Sequence, residues 1–177
     1  NAQAPAVTRT QLQEIVTRIS STVTSADSTF DAKLAKTRMA GPALDDRIAN
    51  YIIRKSHPDL QASIPIPAEL GSYNLPQAKN TWPRTVFTVL KTKTESSVQF
   101  IALILIQQSP RSNYKVNYAM TLQPNTTLPR VAPATVGTQQ LDPDIGLLKM
   151  QPSAIALAYG EILDQDTEAP SYDLFRA

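Results

Sequence analysis

The side chains able to do chemistry are few, and several classes are missing outright. The chain has no cysteine, which removes thiol catalysis, disulfides, cysteine-ligated zinc and iron–sulfur clusters together. Its single histidine, His57, stands directly before Pro58, where a cationic side chain at a helix end satisfies terminal carbonyls. A Ser-His-Asp relay would need this residue, and no Gly-x-Ser-x-Gly elbow accompanies it. The five glycines, at 41, 71, 137, 146 and 160, never cluster, so neither a phosphate-cradling loop nor a dinucleotide fingerprint can be drawn. Acidic residues gather at Asp142-Pro143-Asp144 and at Asp164-Gln165-Asp166-Thr167-Glu168. The second group starts like a calcium loop but lacks the loop glycine and the closing glutamate, so both read as solvated turns. No catalytic residue, metal or cofactor is expected. The enzyme class left open is a carboxylate-only hydrolase or transferase, because the separation of two carboxylates is set by the fold.

Binding chemistry is better supplied. Tyr51, Trp82, Phe87, Tyr114, Tyr118 and Tyr159 fall on segments that should pack together, and core packing alone accounts for such residues. Within them, Tyr51, Trp82, Arg84 and Tyr118 form the candidate ligand-binding set. Tyr51 lies on the apolar stripe of a predicted helix, Tyr118 on the apolar face of an alternating strand, and Trp82-Pro83-Arg84 brings an aromatic and a cation to the start of another strand. Aromatic walls stack on a sugar-like body, and a guanidinium, from Arg84 or Arg47, offers paired hydrogen bonds to an anion. The expected place is where the third helix faces the sheet.

The elements that must hold these residues follow from periodicity. Leu12, Ile15, Val16, Ile19 and Val23 recur at helical spacing from about Thr10 to Thr24, with Thr10 and Gln13 as a capping box. A second helical stretch is predicted from about Asp27 to Met39, ending at Gly41-Pro42, which also restarts the chain as a third helix. That helix carries Leu44, Ile48, Tyr51 and Ile52 on one stripe, with Asp45 and Asp46 toward its positive end and Arg54 and Lys55 at its negative end. Five prolines between His57 and Pro83 predict an irregular connector. Thr85 to Leu90, Val98 to Gln107 and Tyr114 to Leu122 read as three sequential antiparallel strands. The middle one is apolar on both faces and is expected to be covered on both, with Phe100, Ile104 and Val116 buried against Ile48 and Ile52. Leu128 to Ala132 reads as a short edge strand, and a last helix from about Pro152 to Leu163 precedes a polar, irregular end.

The fold class is therefore α+β, N-terminal helices on a curved antiparallel sheet with a further helix after it. The organisation expected is a disordered or appended segment over 1–9 and one domain over 10–177. The chain opens at Asn1 rather than a methionine, so an upstream leader is expected to be missing. Seventeen basic and fifteen acidic residues give a net charge of +2 without any run of like charges, so no nucleic-acid partner is expected. The longest apolar run, Phe100 to Ile106, is too short for a membrane span.

Arg38-Met39-Ala40-Gly41-Pro42-Ala43-Leu44, then Arg47 and Tyr51, then Trp82-Pro83-Arg84, and later Leu128-Pro129 and Tyr159 with Leu163, together resemble an uncharacterised domain of actinobacterial envelope proteins. The resemblance implies an extracytoplasmic, envelope-associated protein, often a lipoprotein anchored through an upstream cysteine. Helices on such a sheet are also similar to the cone-shaped fold of nuclear transport factor 2 and to cystatins. The resulting expectation is a non-enzymatic binding or protein-interaction domain, its partner a protein or envelope component. The alternative is a binder of an anionic or sugar-like small ligand.

Overall fold

In a computed structural model, residues 5–77, 81–93, 97–133 and 136–176 are described. The chain divides into two compact units, Asn1–Gln139 and Gln140–Ala177. The fold is α+β: N-terminal helices, a curved four-stranded antiparallel sheet, then a further helix.

The first unit opens with helix α1, Arg9–Thr29. Its capping box is Thr8 with Gln11, two residues before the expected pair, and each side chain bonds the other's backbone N–H. Residues 1–4 of the expected N-terminal segment lie outside the described residues, while Pro5 bridges Gln77 and Val7 is buried. The apolar stripe of α1 buries Leu12, Val16, Ile19, Val23 and Ala26, each large side chain worth about 1.5–3 kcal/mol removed from water. The helix runs past Thr24 and includes Asp27, ending at Phe30 in the left-handed region.

The expected second helix shrinks to one turn, α2, Ala32–Ala35, capped by the Asp31 carboxylate. The chain then leaves helical geometry, because Met39 pairs in parallel with Val116 at the sheet margin. Gly41, at φ +53°, makes the restart into helix α3, Gly41–Ser56. A side chain there would be strained and its Cβ would meet Asn117 Oδ1 at 3.1 Å. The break expected at Gly41-Pro42 is present. On α3 the buried residues are Leu44, Arg47 and Tyr51, whereas Ile52 is 64% exposed. The stripe is therefore rotated toward Arg47, because that guanidinium has a partner waiting on α1.

The sheet has the order β1 (Glu69–Asn74), β2 (Arg84–Lys93), β3 (Val98–Gln107), β4 (Lys115–Thr121), all antiparallel. Strand β1 lies inside the expected connector. It carries little apolar alternation and forms by pairing along β2, with a bulge at Gly71, where a Cβ would meet Val89 O at 3.0 Å. The helices cover one sheet face, lined by Val86 and Leu90 of β2, by Ile101, Leu103 and Leu105 of β3, and by Val116. Thr88 is buried beside them with its hydroxyl donated to Ser72 O at 2.9 Å.

Three expectations for the sheet are corrected. The buried face of β3 is the one carrying Ile101, Leu103 and Leu105. Phe100 is 42% exposed, Ile104 only partly buried, and Val116 alone of the expected trio is fully buried. In β4 a register shift opposite Ile104 and Leu105 makes Asn117 an extra residue. It flips the faces, so Ala119 packs inward and Tyr118 and Met120 outward. No strand forms over Leu128 to Ala132, and the short sheet ends at β4.

In the second unit a 3₁₀ turn, Pro152–Ala154, leads into helix α4, Ile155–Gln165, and a short α5, Tyr172–Phe175, follows a second 3₁₀ turn. Tyr159 and Phe175 rings lie 5.7 Å apart. The stripe expected to pack is largely open, since Ile155, Tyr159 and Leu163 are exposed and Ala158 is the buried residue of α4. No helix among the described residues is long and apolar enough to cross a membrane.

Candidate ligand-binding site

The four expected site residues are not brought together. Tyr51 is buried in a polar cluster between α1 and α3. Its hydroxyl donates to Asp27 Oδ1 at 2.5 Å, and Arg47 Nη1 donates to both oxygens of the same carboxylate at 2.7 and 2.6 Å. Arg47 Nη2 donates to Ile64 O at 2.5 Å, which ties in the segment before β1. Burial first, then the hydrogen bond to the Asp27 carboxylate, hold the Tyr51 phenol well above its ordinary ionisation range. The Phe30 ring lies 5.7 Å from that of Tyr51, with the Arg54 guanidinium 5.4 Å from the Phe30 centroid. The Tyr51 hydroxyl is thus engaged within the protein, in a cluster that joins α1 and α3.

Trp82 and Arg84 do share a site. The Arg84 guanidinium lies 4.2 Å from the Trp82 ring centroid, a stacked geometry that fixes the cation. The Trp82–Pro83 peptide is cis. Trp82 Nε1 faces Gln107 Oε1 at 3.4 Å, and Gln107 Nε2 donates to Ser112 O at 2.9 Å, which orients the amide. These residues open on a cleft of about 450 Å³, within the size range of small-molecule sites. One wall is the α1 face carrying Gln11, Glu14, Ile15 and Arg18, and another is Arg38 of the chain leading to α3. Among the described residues its charged lining is Arg18, Arg38 and Arg84 with the acid Glu14.

Tyr114 completes this wall. It is 6% exposed, and its hydroxyl is buried without a hydrogen-bond partner among the described residues. Burial raises its ionisation range, partly offset by the Arg84 charge beside it. An unpartnered buried hydroxyl costs about 1–3 kcal/mol. Three guanidiniums, a stacking ring and a waiting hydroxyl suit a small anion with a polar body.

Tyr118 stands elsewhere, 46% exposed on the outer face of β4, beside a smaller hollow of about 150 Å³ against α3. Sequence reasoning missed Arg18 and the role of Tyr114 in the cleft. Gln11, Glu14 and Arg18 recur at helical spacing beside the apolar stripe of α1, a signal for one polar face, but nothing local shows what that face meets. The acidic turn at Asp142 to Asp144 closes on itself, Asp144 N–H donating to Asp142 Oδ1 at 2.9 Å. Among the described residues no group of three or more histidines, cysteines or carboxylates is placed to hold a metal ion.

Fold and site thus define a small α+β domain with an arginine-lined cleft. Its sequence belongs to the family described as Domain of unknown function (DUF8094), whose model matches residues 3–170. No curated protein and no solved structure matches the chain.

Proposed function

We propose that this protein is a non-enzymatic binding domain whose cleft takes a small anionic ligand, such as a carboxylate or a phosphorylated sugar. The observation that carries the reading is the buried Tyr114 hydroxyl, without a hydrogen-bond partner among the described residues, in a lining that holds Arg18, Arg38 and Arg84. The guanidiniums bind charge, Trp82 presses on the ligand body, and Tyr114 donates one directed hydrogen bond. The resemblance of the Arg38–Leu44 and Trp82–Arg84 motifs to envelope proteins supports an extracytoplasmic, envelope-associated setting, reached through an upstream lipid anchor. Helices packed on one face of an antiparallel sheet also support a cone-type architecture of the nuclear transport factor 2 kind.

The test is calorimetry and thermal shift of wild type against inorganic phosphate, mono- and dicarboxylates, phosphorylated sugars and their neutral parents. Binding confined to the anions is expected, weakened at least about tenfold by Arg84→Ala and by Arg38→Ala, since one hydrogen bond to a charged group contributes about 1.5–3 kcal/mol. No binding by any anion, or equal binding in both variants, overturns the proposal.

A further inference from the structure

The margin of β4 has two halves, and among the described residues only the first is closed by a neighbouring segment. Val116 N–H donates to Arg38 O and Val116 O accepts from Ala40 N–H, both at 2.9 Å, so the segment before α3 acts as a one-residue parallel strand. Then the chain turns away at Gly41, and Pro42 has no N–H to continue the pairing. Past the Asn117 bulge the parity of β4 is reversed. Leu122 N–H donates to Phe100 O at 2.8 Å, which puts the even-numbered residues 118–122 in hydrogen-bonded pairs with β3. Ala119 and Thr121 stand opposite Leu103 and Ile101 in the alternate, non-bonded positions. Their backbone N–H and C=O groups therefore point away from the sheet, and β4 is its last strand.

Beside this open stretch lies the 150 Å³ hollow, lined by Pro42, Asp46 and Arg47 of α3, by Ser63, and by Tyr118 and Ala119. Arg47 is 2% exposed, and neither its Nε nor the Ser63 hydroxyl has a hydrogen-bond partner among the described residues. Two buried donors thus belong to residues that line the hollow. The charge of Arg47 is already matched by Asp27, and Asp46 adds a carboxylate to the lining, so an anionic occupant is disfavoured. A side-chain amide fits both demands: its oxygen accepts from Arg47 and Ser63, and its NH₂ donates to Asp46.

We infer that β4 accepts an extended peptide segment, paired through the backbone groups of Ala119 and Thr121, with an Asn or Gln side chain lodged in the hollow. The mode is strand addition, in which main-chain bonds give affinity and one pocket gives specificity. The site shares no lining residue with the arginine cleft, so either stands if the other fails.

The probe is a displayed library of random heptapeptides, selected on the intact chain and followed by synthesis of the enriched sequences. Enrichment of Asn or Gln at one position is expected, with slowed amide exchange and NMR shifts at Ala119 and Thr121. Replacing that amide by Asp or Ala should weaken binding about tenfold, as should Ser63→Ala. Ala119→Pro removes an outward donor without touching the ladder to β3 and should abolish binding; Thr121→Pro, at the strand end, serves if the first variant does not fold. Arg84→Ala should leave peptide binding unchanged. Failure to select any peptide, perturbations elsewhere, or concentration-dependent dimerisation through this margin that Ala119→Pro abolishes would each overturn the inference, the last in favour of a second copy.

Discussion

At Asp27, Arg47 and Tyr51 a carboxylate, a guanidinium and a phenol sit between two helices with nearly every polar atom engaged. At Trp82, Arg84 and Tyr114 similar residue types line an open cleft in which the phenol has no hydrogen-bond partner. The first arrangement locks α3 onto α1; the second lines the cleft in which binding is proposed. Residue type does not separate the two, since each pairs arginine with tyrosine and a neighbouring aromatic ring. What separates them is the phenol: that of Tyr51 donates to Asp27, and that of Tyr114 has no hydrogen-bond partner among the described residues. Asp27 accepts from both Arg47 and Tyr51, whereas the described lining of the cleft sets Glu14 among Arg18, Arg38 and Arg84.

The comparison breaks most visibly at Asp27. Asp27→Ala leaves the buried Arg47 guanidinium without its counter-charge, and breaking a buried pair in this way costs about 3–5 kcal/mol. Because the Asp27 side chain keeps 31% exposure, the lower end of that range is expected. Urea unfolding measures it. A loss below about 1 kcal/mol, the value of an exposed pair, would mean that the cluster does not hold the helices together. Ligand binding at the cleft should survive in the folded fraction.

A smaller effect is expected at Tyr51. Tyr51→Phe removes one hydrogen bond to Asp27, costing about 1 kcal/mol near neutral pH. In the folded protein the phenol is held well above its ordinary range by burial and by Asp27, while in the unfolded chain it ionises near pH ~10. Its contribution is therefore fully present below pH ~10 and is lost as pH rises beyond that, because only the unfolded state releases the proton. Wild-type stability should fall more steeply than that of Tyr51→Phe above this pH in chemical denaturation series. Parallel curves would show that the phenol is not shielded.

Much of the scaffold was legible because it rests on local rules. The α1 stripe, the break at Gly41-Pro42 and the three strongly apolar strands follow from periodicity and backbone chemistry within a few residues. The features that set the sites do not. The Asn117 bulge reverses the faces of β4, yet a bulged strand reads like a regular one when its partner is unknown. Strand β1, Glu69 to Asn74, exists because β2 offers it a ladder, and its own residues carry little strand signal. Periodicity puts Asp27 at the start of the second helix and not on α1, where it lies, so its claim on Arg47 and Tyr51 is invisible in the sequence and Tyr51 reads as available to a ligand. Arg18 and Arg38 meet Arg84 only after α1 has crossed the sheet.

The smallest expected effect separates the two regions most cleanly. Removing a hydroxyl that makes a good buried hydrogen bond destabilises, as argued for Tyr51, whereas removing one that has no partner relieves a desolvation cost. Tyr114 is nearly as buried as Tyr51 but its hydroxyl has no partner among the described residues. Tyr114→Phe should therefore leave stability unchanged or raise it by up to about 1 kcal/mol, the reverse of Tyr51→Phe. The same substitution should weaken binding of an anion in the cleft, because a neutral directed donor of the site is gone. Stability and binding would then move in opposite directions from a single deleted oxygen, a signature that core packing alone does not produce. Paired urea unfolding and calorimetry on Tyr114→Phe decide it. A loss of about 1 kcal/mol would place an ordered water on the Tyr114 hydroxyl and make that residue structural, like Tyr51.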